Sequence, residues 1–285
     1  MTERRSPVAA ADYRYEPSSP TDLDAIHGLS SAVGWPHRRR DIEAALVIAN
    51  PWRAVDPTDG RLLGVAMWWP MGEFAARIGL VIVAPESQGL GIGRRLMERV
   101  IESIGPRAMM LLATDEGRPL YARLGFETIG LSQRHLGRYR AEPTGPNDAE
   151  PLRRRDLAAI VELDAAAMGA ARPRIVEHLV DVGDGVVLRA GGGISGYAIR
   201  RPFGDGDVVG PIVSSSEGDA GILFRAVARP GLTRVDRPLH APRFGALLDR
   251  SGVGGHEVTH VMVRGAWPHV EPTVRSYAMA SHALG

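Results

Sequence analysis

Hydrophobic positions along this chain fall into short continuous runs and into stripes with helical spacing, and the two patterns together predict a mixed α/β protein. Ile92, Leu96, Val100 and Ile104 recur every four residues, with Met97 and Ile101 in the same stripe, which predicts an amphipathic helix. Just before it, Phe74 to Val83 predicts a strand whose Ile78 to Val83 portion is buried on both faces. After it come a short apolar strand, Ala108 to Ala113, and a short helix, Pro119 to Leu124, closed by Gly125. Strand, Gly-rich turn, helix and strand make a βαβ unit, which puts the turn at the carboxyl end of a strand, where ligands commonly bind.

Upstream, Tyr13 to Tyr15 predicts a short strand, and Thr21 followed by Leu23, Ile26, His27 and Leu29 a capped helix. A second helix is expected from about His37 to Ala49, stopped by Asn50-Pro51. Trp52 to Val55 and Leu62 to Trp69 read as strands joined across the Asp59-Gly60 turn. The second half repeats this order loosely. Helices are expected over Asp156 to Ala167, Pro173 to Val182, Asp219 to Ala228 and Arg243 to Arg250, and strands over Val186 to Arg189, Tyr197 to Arg200, Val208 to Val213, Thr233 to Arg237 and Val258 to Val263. Similar order in both halves suggests a tandem duplication. Between them, residues 141–151 are rich in Pro, Gly and acids and lack apolar periodicity, so the expected domains are residues 1–142 and 151–285 with a linker at 143–150.

Length agrees, since 285 residues leave room for about two domains at roughly 150 residues each. Hydrophobic residues at 44% and charged residues at 24% are ordinary for a globular protein. With no Cys, disulfides, thiolate metal sites and a cysteine nucleophile are excluded, and a reducing, cytoplasmic setting fits. All 34 basic residues are Arg, so a Walker A lysine and a lysine Schiff base are excluded as well. The net charge of +1 is spread over two nearly neutral halves, so neither is a basic nucleic-acid module. The run Val8 to Ala11 is too short for a secretory signal, and Ile78 to Ala84 is far short of a membrane span, so no membrane partner is expected.

The candidate chemistry lies in Val83-Ala-Pro-Glu-Ser-Gln-Gly-Leu-Gly-Ile-Gly-Arg-Arg95, between the buried strand and the amphipathic helix. Gly89, Gly91 and Gly93 let the backbone turn tightly and approach a ligand. The first N–H groups of the helix point outward unpaired, so the natural guest is an anion such as a pyrophosphate, with Arg94 and Arg95 adding positive charge. A dinucleotide fingerprint fails, because Arg94 stands where its third glycine would be.

These residues resemble the GNAT superfamily, the GCN5-related N-acetyltransferases, whose signature Q/R-x-x-G-x-G/A is present as Gln88-Gly-Leu-Gly91-Ile-Gly93 after Val83-Ala-Pro85. The later Gly117-Arg-Pro-Leu-Tyr121-Ala-Arg-Leu-Gly125-Phe126 also matches that family. The resemblance implies an α/β (α+β) fold of two tandem GNAT-like domains, each a mixed, mostly antiparallel twisted sheet flanked by helices. It implies acetyl-CoA as cosubstrate and no metal, with the pantetheine arm along Val81, Ile82 and Val83 and the pyrophosphate held by Gln88, Gly89, Leu90, Gly91, Ile92, Gly93 and Arg94. The backbone N–H near Val81 would polarise the thioester carbonyl. Tyr121, with a phenol pKa of about 10, would be the general acid for the leaving thiolate.

Some relatives carry a carboxylate base on the central strand about seven residues before the Q/R; that position here is Val81, leaving Glu73, Asp115, a water chain or bulk solvent to deprotonate the acceptor. Trp35 and Thr114 are expected beside the acceptor amine, and Trp68 and Trp69, adjacent on a strand, must face opposite ways. The expected function is transfer of an acetyl group to a primary amine, of a small molecule by preference, by direct attack in a ternary complex. A noncatalytic acyl-CoA sensor is the alternative.

The second half resembles the degenerate C-terminal domain of some bacterial tandem GNAT proteins at Val209-Gly-Pro211, Val235-Asp236-Arg-Pro238 and Arg275-Ser-Tyr-Ala278, so it would wall the acceptor pocket and allow a monomer. Where the first half has its Gly-rich loop, the second has Ser214-Ser-Ser-Glu-Gly-Asp219. His256-Glu-Val-Thr-His260 spells the H-E-x-x-H zinc motif, but Val258, Val261 and Val263 predict a strand there. Four residues of strand span about 13 Å, too far for both histidines to bind one zinc ion. The runs Arg38 to Arg40 and Arg153 to Arg155 are expected on solvated helix starts.

Overall fold

The computed structural model describes residues 13–141, 148–268 and 273–285. The run Val8 to Ala11 and residues 143–147 of the expected linker lie outside the described residues. The chain divides into two compact units, Met1–Trp69 with Gly79–Gly105, and Pro70–Ile78 with Pro106–Gly285. Among the described residues no helix is long and apolar enough to cross a membrane.

The first unit holds β1 (Arg14–Pro17), α1 (Leu23–Ala32), α2 (Arg39–Ile48), β2 (Asn50–Val55), most of β3 (Leu62–Met71), the end of β4 (Ala75–Val83) and α3 (Ile92–Ile104). β1 pairs antiparallel with β2 and β2 with β3, and β3 neighbours β4. Asn50-Pro51 does more than stop α2: both residues open β2, where Pro51 pairs with Met67. α1 begins after a short 3-10 turn, Pro20–Asp22, in which the Asp22 carboxylate accepts from the Ser19 N–H at 3.0 Å, so the expected Thr21 cap is not the one used. The Arg38 run does sit at a helix start, with Arg38 bonded to Asp41 through both its N–H and its guanidinium.

The second unit holds β5 (Ala108–Ala113), α4 (Arg118–Arg123), β6 (Glu127–Tyr139), β7 (Glu150–Pro151), α5 (Leu157–Met168), α6 (Pro173–Val182), β8 (Asp184–Ala190), β9 (Gly193–Phe203), β10 (Gly206–Ser214), α7 (Glu217–Val227), β11 (Gly231–Pro238), α8 (Pro242–Arg250), β12 (Val253–Arg264) and β13 (Arg275–Ala278). Its strand order is β5-β12-β6-β11-β10-β9-β8-β7, with β13 on β10. The duplication is visible in the pairing: Ala75–Arg77 of β4 run parallel to Ala108–Met110 of β5, and Asp207–Val208 of β10 run parallel to Thr233–Arg234 of β11. All other recorded pairings in both units are antiparallel.

The last strand of each repeat is exchanged. β12 lies between β5 and β6, and β6 lies between β12 and β11. β6 carries no clear alternation and was not among the expected elements; both of its edges are hydrogen-bonded, so backbone pairing rather than side-chain pattern makes it a strand. A Cβ at Gly137 would stand 2.0 Å from the Gly252 carbonyl oxygen, so only glycine allows that close approach. Tyr139 at the end of β6 then enters the second repeat's core, edge-on to Phe224 at 5.2 Å between centroids; Phe244 and Tyr277 continue that cluster.

A second, ionic core lies in the same unit. Arg172 forms a bidentate pair with fully buried Asp164 at 2.7 and 2.9 Å, the Tyr197 hydroxyl donates to the same carboxylate at 2.6 Å, and Arg172 also donates to the carbonyls of Leu284 and Gly285. Arg77 donates to the His282 carbonyl at 3.0 Å, and burial lowers its guanidinium to about 9. Burial also lowers the His282 imidazole to about 4, with Arg234, Arg134 and Arg77 acting the same way against the opposing pull of Asp236. His282 is thus neutral when folded, and its Nδ1 accepts from Arg134 at 3.3 Å.

Unfolding returns His282 to an ordinary value near 6.5, so the unfolded chain binds more protons between about 6.5 and 4. The stabilisation is present above about pH 6.5 and is lost as pH falls toward 4. His135, His178 and His240 are lowered as well, chiefly by burial, and add to the same slope. Thermal unfolding followed across this range is expected to show a falling midpoint in the wild type and a shallower fall in His282→Asn.

Candidate active site

In the first unit, the site is built around the start of α3. Ile92, Leu96, Met97, Val100 and Ile104 bury one face of that helix, which fixes where its N-terminus points. Its N-cap is Gly91, with φ of 83°, preceded by Gly89 with φ of 78°; both lie in the left-handed region that favours glycine. Gly91 supplies no side-chain cap and the first turn contains no acidic residue, so the first N–H groups remain open to an anion.

The loop leading into α3 is pinned locally. Pro85–Ser87 forms a 3-10 turn, and the Gln88 amide nitrogen donates back to the Val83 carbonyl at 3.2 Å. Arg94 pairs with Glu98 at 2.9 Å and Arg95 with the same carboxylate at 3.1 Å. Arg94 is 66% exposed, and an exposed ion pair of this kind contributes about 0–1 kcal/mol, so Glu98 holds its guanidinium only weakly.

Val81, Ile82 and Val83 end β4. Leu80, immediately before Val81, has φ of 50°, and is the non-glycine residue with positive φ among the described residues. Such a conformation costs about 1–3 kcal/mol and is found at ligand sites. Trp35 is half-buried between α1 and α2, where its N–H donates to the Ser30 carbonyl at 3.0 Å and its ring meets His37 edge-on at 5.7 Å. Trp68 and Trp69 on β3 are both buried; Trp69 donates to the Ala45 carbonyl at 3.4 Å, whereas the Trp68 indole N–H has no partner.

In the second unit, Thr114 and Tyr121 are brought together around Gly117. The Thr114 hydroxyl accepts from the Gly117 N–H at 3.3 Å, and a Cβ on Gly117 would lie 3.1 Å from the Tyr121 ring and 3.5 Å from that hydroxyl. Tyr121 is buried and packs edge-on against Phe126 at 6.1 Å. Burial pushes its phenol up to about 12, above the value of about 10 expected for the residue type, so it is fully protonated at neutral pH. Glu73 is exposed in the turn between β3 and β4. Asp115, the other carboxylate candidate, is 81% exposed and accepts from His260 Nε2 at 3.0 Å.

His260 was visible in the sequence only as the second histidine of H-E-x-x-H. That segment is part of β12, and its histidines serve separately, His256 against the Leu136 carbonyl and His260 against Asp115. Exchange of β12 brings His260 opposite Ala113 of β5, one residue before Thr114. No spacing rule in the sequence signals that pairing.

The corresponding loop of the second repeat has opposite chemistry. The Ser216 hydroxyl caps α7 by accepting from the Asp219 N–H at 3.1 Å, and Glu217 and Asp219 occupy the first turn. Capping and negative charge close that helix end to an anion.

Two matches to one family description cover both repeats: acetyltransferase (GNAT) domains at residues 50–128 and 160–278. An uncharacterized N-acetyltransferase of Bacillus subtilis (strain 168), YitH, is 30% identical over 217 residues, 74% of this chain and 77% of its own. The chain belongs to the GNAT acetyltransferase family. Its two GNAT domains stand in tandem, and solved structures share the fold. A provisionally assigned acetyltransferase of Pyrococcus horikoshii aligns with a TM-score of 0.81 over 100% of both chains at 16% identity. A tandem GNAT protein from the clavulanic acid biosynthesis pathway aligns at 0.61, covering 88% of this chain and 98% of its own at 15% identity.

Proposed function

We propose that the protein is an acetyl-CoA-dependent N-acetyltransferase that acetylates a primary amine by direct attack, with residues 1–142 as the catalytic domain and residues 151–285 as an eroded copy that completes the fold. The observation that carries this reading is the uncapped, acid-free start of α3 behind left-handed Gly91, beside the opposite arrangement at α7. A pyrophosphate fits the first and is repelled by the second.

In this reading the main-chain N–H groups of Gly89 to Gly93 hold the pyrophosphate, Gln88 keeps the loop closed and Arg94 turns from Glu98 to the phosphate. Acetyl-CoA, when bound, supplies an activated acetyl group as a thioester. The Val81 N–H, next to strained Leu80, donates to the acyl oxygen as negative charge gathers there. Trp35 and Thr114 border the acceptor. Tyr121 gives its proton to the departing thiolate. A phenol near 12 is a weak proton donor to an ordinary thiolate, but the same burial that raises the phenol also raises the proton affinity of a thiolate formed beside it, so the two approach each other.

Gly91→Glu places a carboxylate and a strained φ at the cradle, and loss of measurable acetyl-CoA binding by calorimetry is expected. Undiminished binding would place the cofactor elsewhere. Tyr121→Phe is expected to keep acetyl-CoA affinity and to lower turnover by about 10²-fold in a thiol-release assay; unchanged turnover would remove Tyr121 from the acid role.

A further inference from the structure

Three arginines of the second unit's ionic core are each matched by a carboxylate: Arg172 by Asp164 at 2.7 Å, Arg234 by Asp236 at 2.7 Å and Arg134 by Glu257 at 2.8 Å. Arg77 on β4 is not. It is 1% exposed, and among the described residues no carboxylate pairs with it; an Nη donates to the neutral His282 carbonyl at 3.0 Å. Its Nε–H is buried and has no acceptor. Asp164 is unavailable to it, since both carboxylate oxygens already accept from Arg172 and one of them from Tyr197 as well. A carbonyl satisfies a hydrogen without neutralising a charge, so the Arg77 guanidinium carries the cost of a buried, unmatched ion.

A second positive group borders the same place. Burial, and then the charge of Arg172, lower the Arg77 guanidinium to about 9, so it remains charged at neutral pH. A Cβ built on Gly285 would stand 3.5 Å from Nε and Cζ of Arg77 and 3.5 Å from an Nη of Arg172, and it would meet no other atom closer than these. A body about the size of a methyl group is therefore tolerated in contact with both guanidiniums. That Nη of Arg172 gives its hydrogens to the Leu284 and Gly285 carbonyls, so Arg172 contributes field and Arg77 contributes the open donor.

These features select the chemistry of a guest. One unmatched guanidinium calls for one negative charge. A phosphate or pyrophosphate brings more charge and more bound water than a place this buried can take up, and it needs several donors where one is open. A halide carries a single charge, is close to a methyl group in size and accepts an N–H from any direction. We propose that the second unit contains a buried halide site, in which chloride accepts the Arg77 Nε–H beside Arg172 and Gly285. The site goes beyond the acetyltransferase reading and does not depend on it. Chloride there cancels the unmatched charge and holds in place the two guanidiniums that bond the carbonyls of His282, Leu284 and Gly285, so its binding adds to the stability of the unit by mass action.

The test is thermal unfolding of the full chain near neutral pH, in sodium chloride and in sodium gluconate at equal ionic strength, which keeps screening the same and offers an anion too large for the site. Chloride is expected to raise the midpoint saturably, by roughly 2–5 °C over gluconate. Arg77→Met, which keeps an apolar stem and removes the charge, should be indifferent to the exchange of anions. Gly91→Glu, in which the start of α3 is closed to anions, should respond as the unaltered protein does. Arg77→Met alters a buried position, so a direct readout on the unaltered protein accompanies it: crystals soaked in sodium bromide should give an anomalous peak beside Arg77 Nε. Equal midpoints in the two salts for the unaltered protein, a chloride response that survives in Arg77→Met or vanishes in Gly91→Glu, or bromide at surface positions as an adventitious ion only would each overturn the site. The acetyltransferase reading is decided separately, by acetyl-CoA binding.

Discussion

The ladder that inserts β12 between β5 and β6 is the interaction on which the second unit depends. A strand edge buried without partners would leave a row of orphaned N–H and C=O groups, each costing about 1–3 kcal/mol. Here β5 finds its outer partner in a strand from the other repeat, and β11 finds its own in β6. Neither repeat closes its sheet alone. The register also demands a local concession, glycine at position 137, because the Gly252 carbonyl occupies the space of a side chain. Once the ladder is set, Tyr139 is carried into the aromatic cluster of the second repeat and His260 to the end of β5.

That exchange ties together two repeats whose helix starts differ in chemistry. α3 and α7 occupy equivalent places after equivalent strands, yet one begins with a bare left-handed glycine and the other with a serine cap and two acids. The capped helix is the better-satisfied one, since the serine and the carboxylates stabilise its N-terminus by about 0.5–2 kcal/mol. The bare helix forgoes that stabilisation, and a phosphate is what would restore it. The two copies therefore differ at one place, the N-cap and the first turn that follows it.

Most elements were legible from apolar spacing, because the helices bury one stripe and the central strands bury continuous runs. α3, β5 and α6 match their expected bounds closely. The misses share a physical cause. β6 runs Glu-Thr-Ile-Gly-Leu-Ser-Gln-Arg-His-Leu-Gly-Arg-Tyr, exposing Ile129 and Leu131 while burying Ser132 and His135, so its pattern contradicts simple inward-apolar alternation. Its strand character is a property of partners distant in sequence, as is the His260–Asp115 contact across 145 residues. The glycine-rich loop and the bare helix start behind it were legible because they lie within a few consecutive residues. The ionic core around Asp164, Arg172 and Tyr197 was not, since an Arg in an Arg-rich chain gives no sign of being buried.

Burial also sets what each charged group can do. Arg77, Arg172 and Asp164 lie where water cannot help them; Arg172 and Asp164 hold each other, and both guanidiniums donate to carbonyls within residues 282–285. Removing one partner from such a set leaves an uncompensated charge and costs about 3–5 kcal/mol, so these groups cannot exchange protons or partners in a catalytic cycle without loosening the unit. Tyr121 is equally buried but neutral, and its proton can move without creating an isolated charge if a thiolate is formed beside it. The His260–Asp115 pair, by contrast, stands in contact with solvent. The charged core therefore serves to hold together the elements that it bonds, and not to move protons.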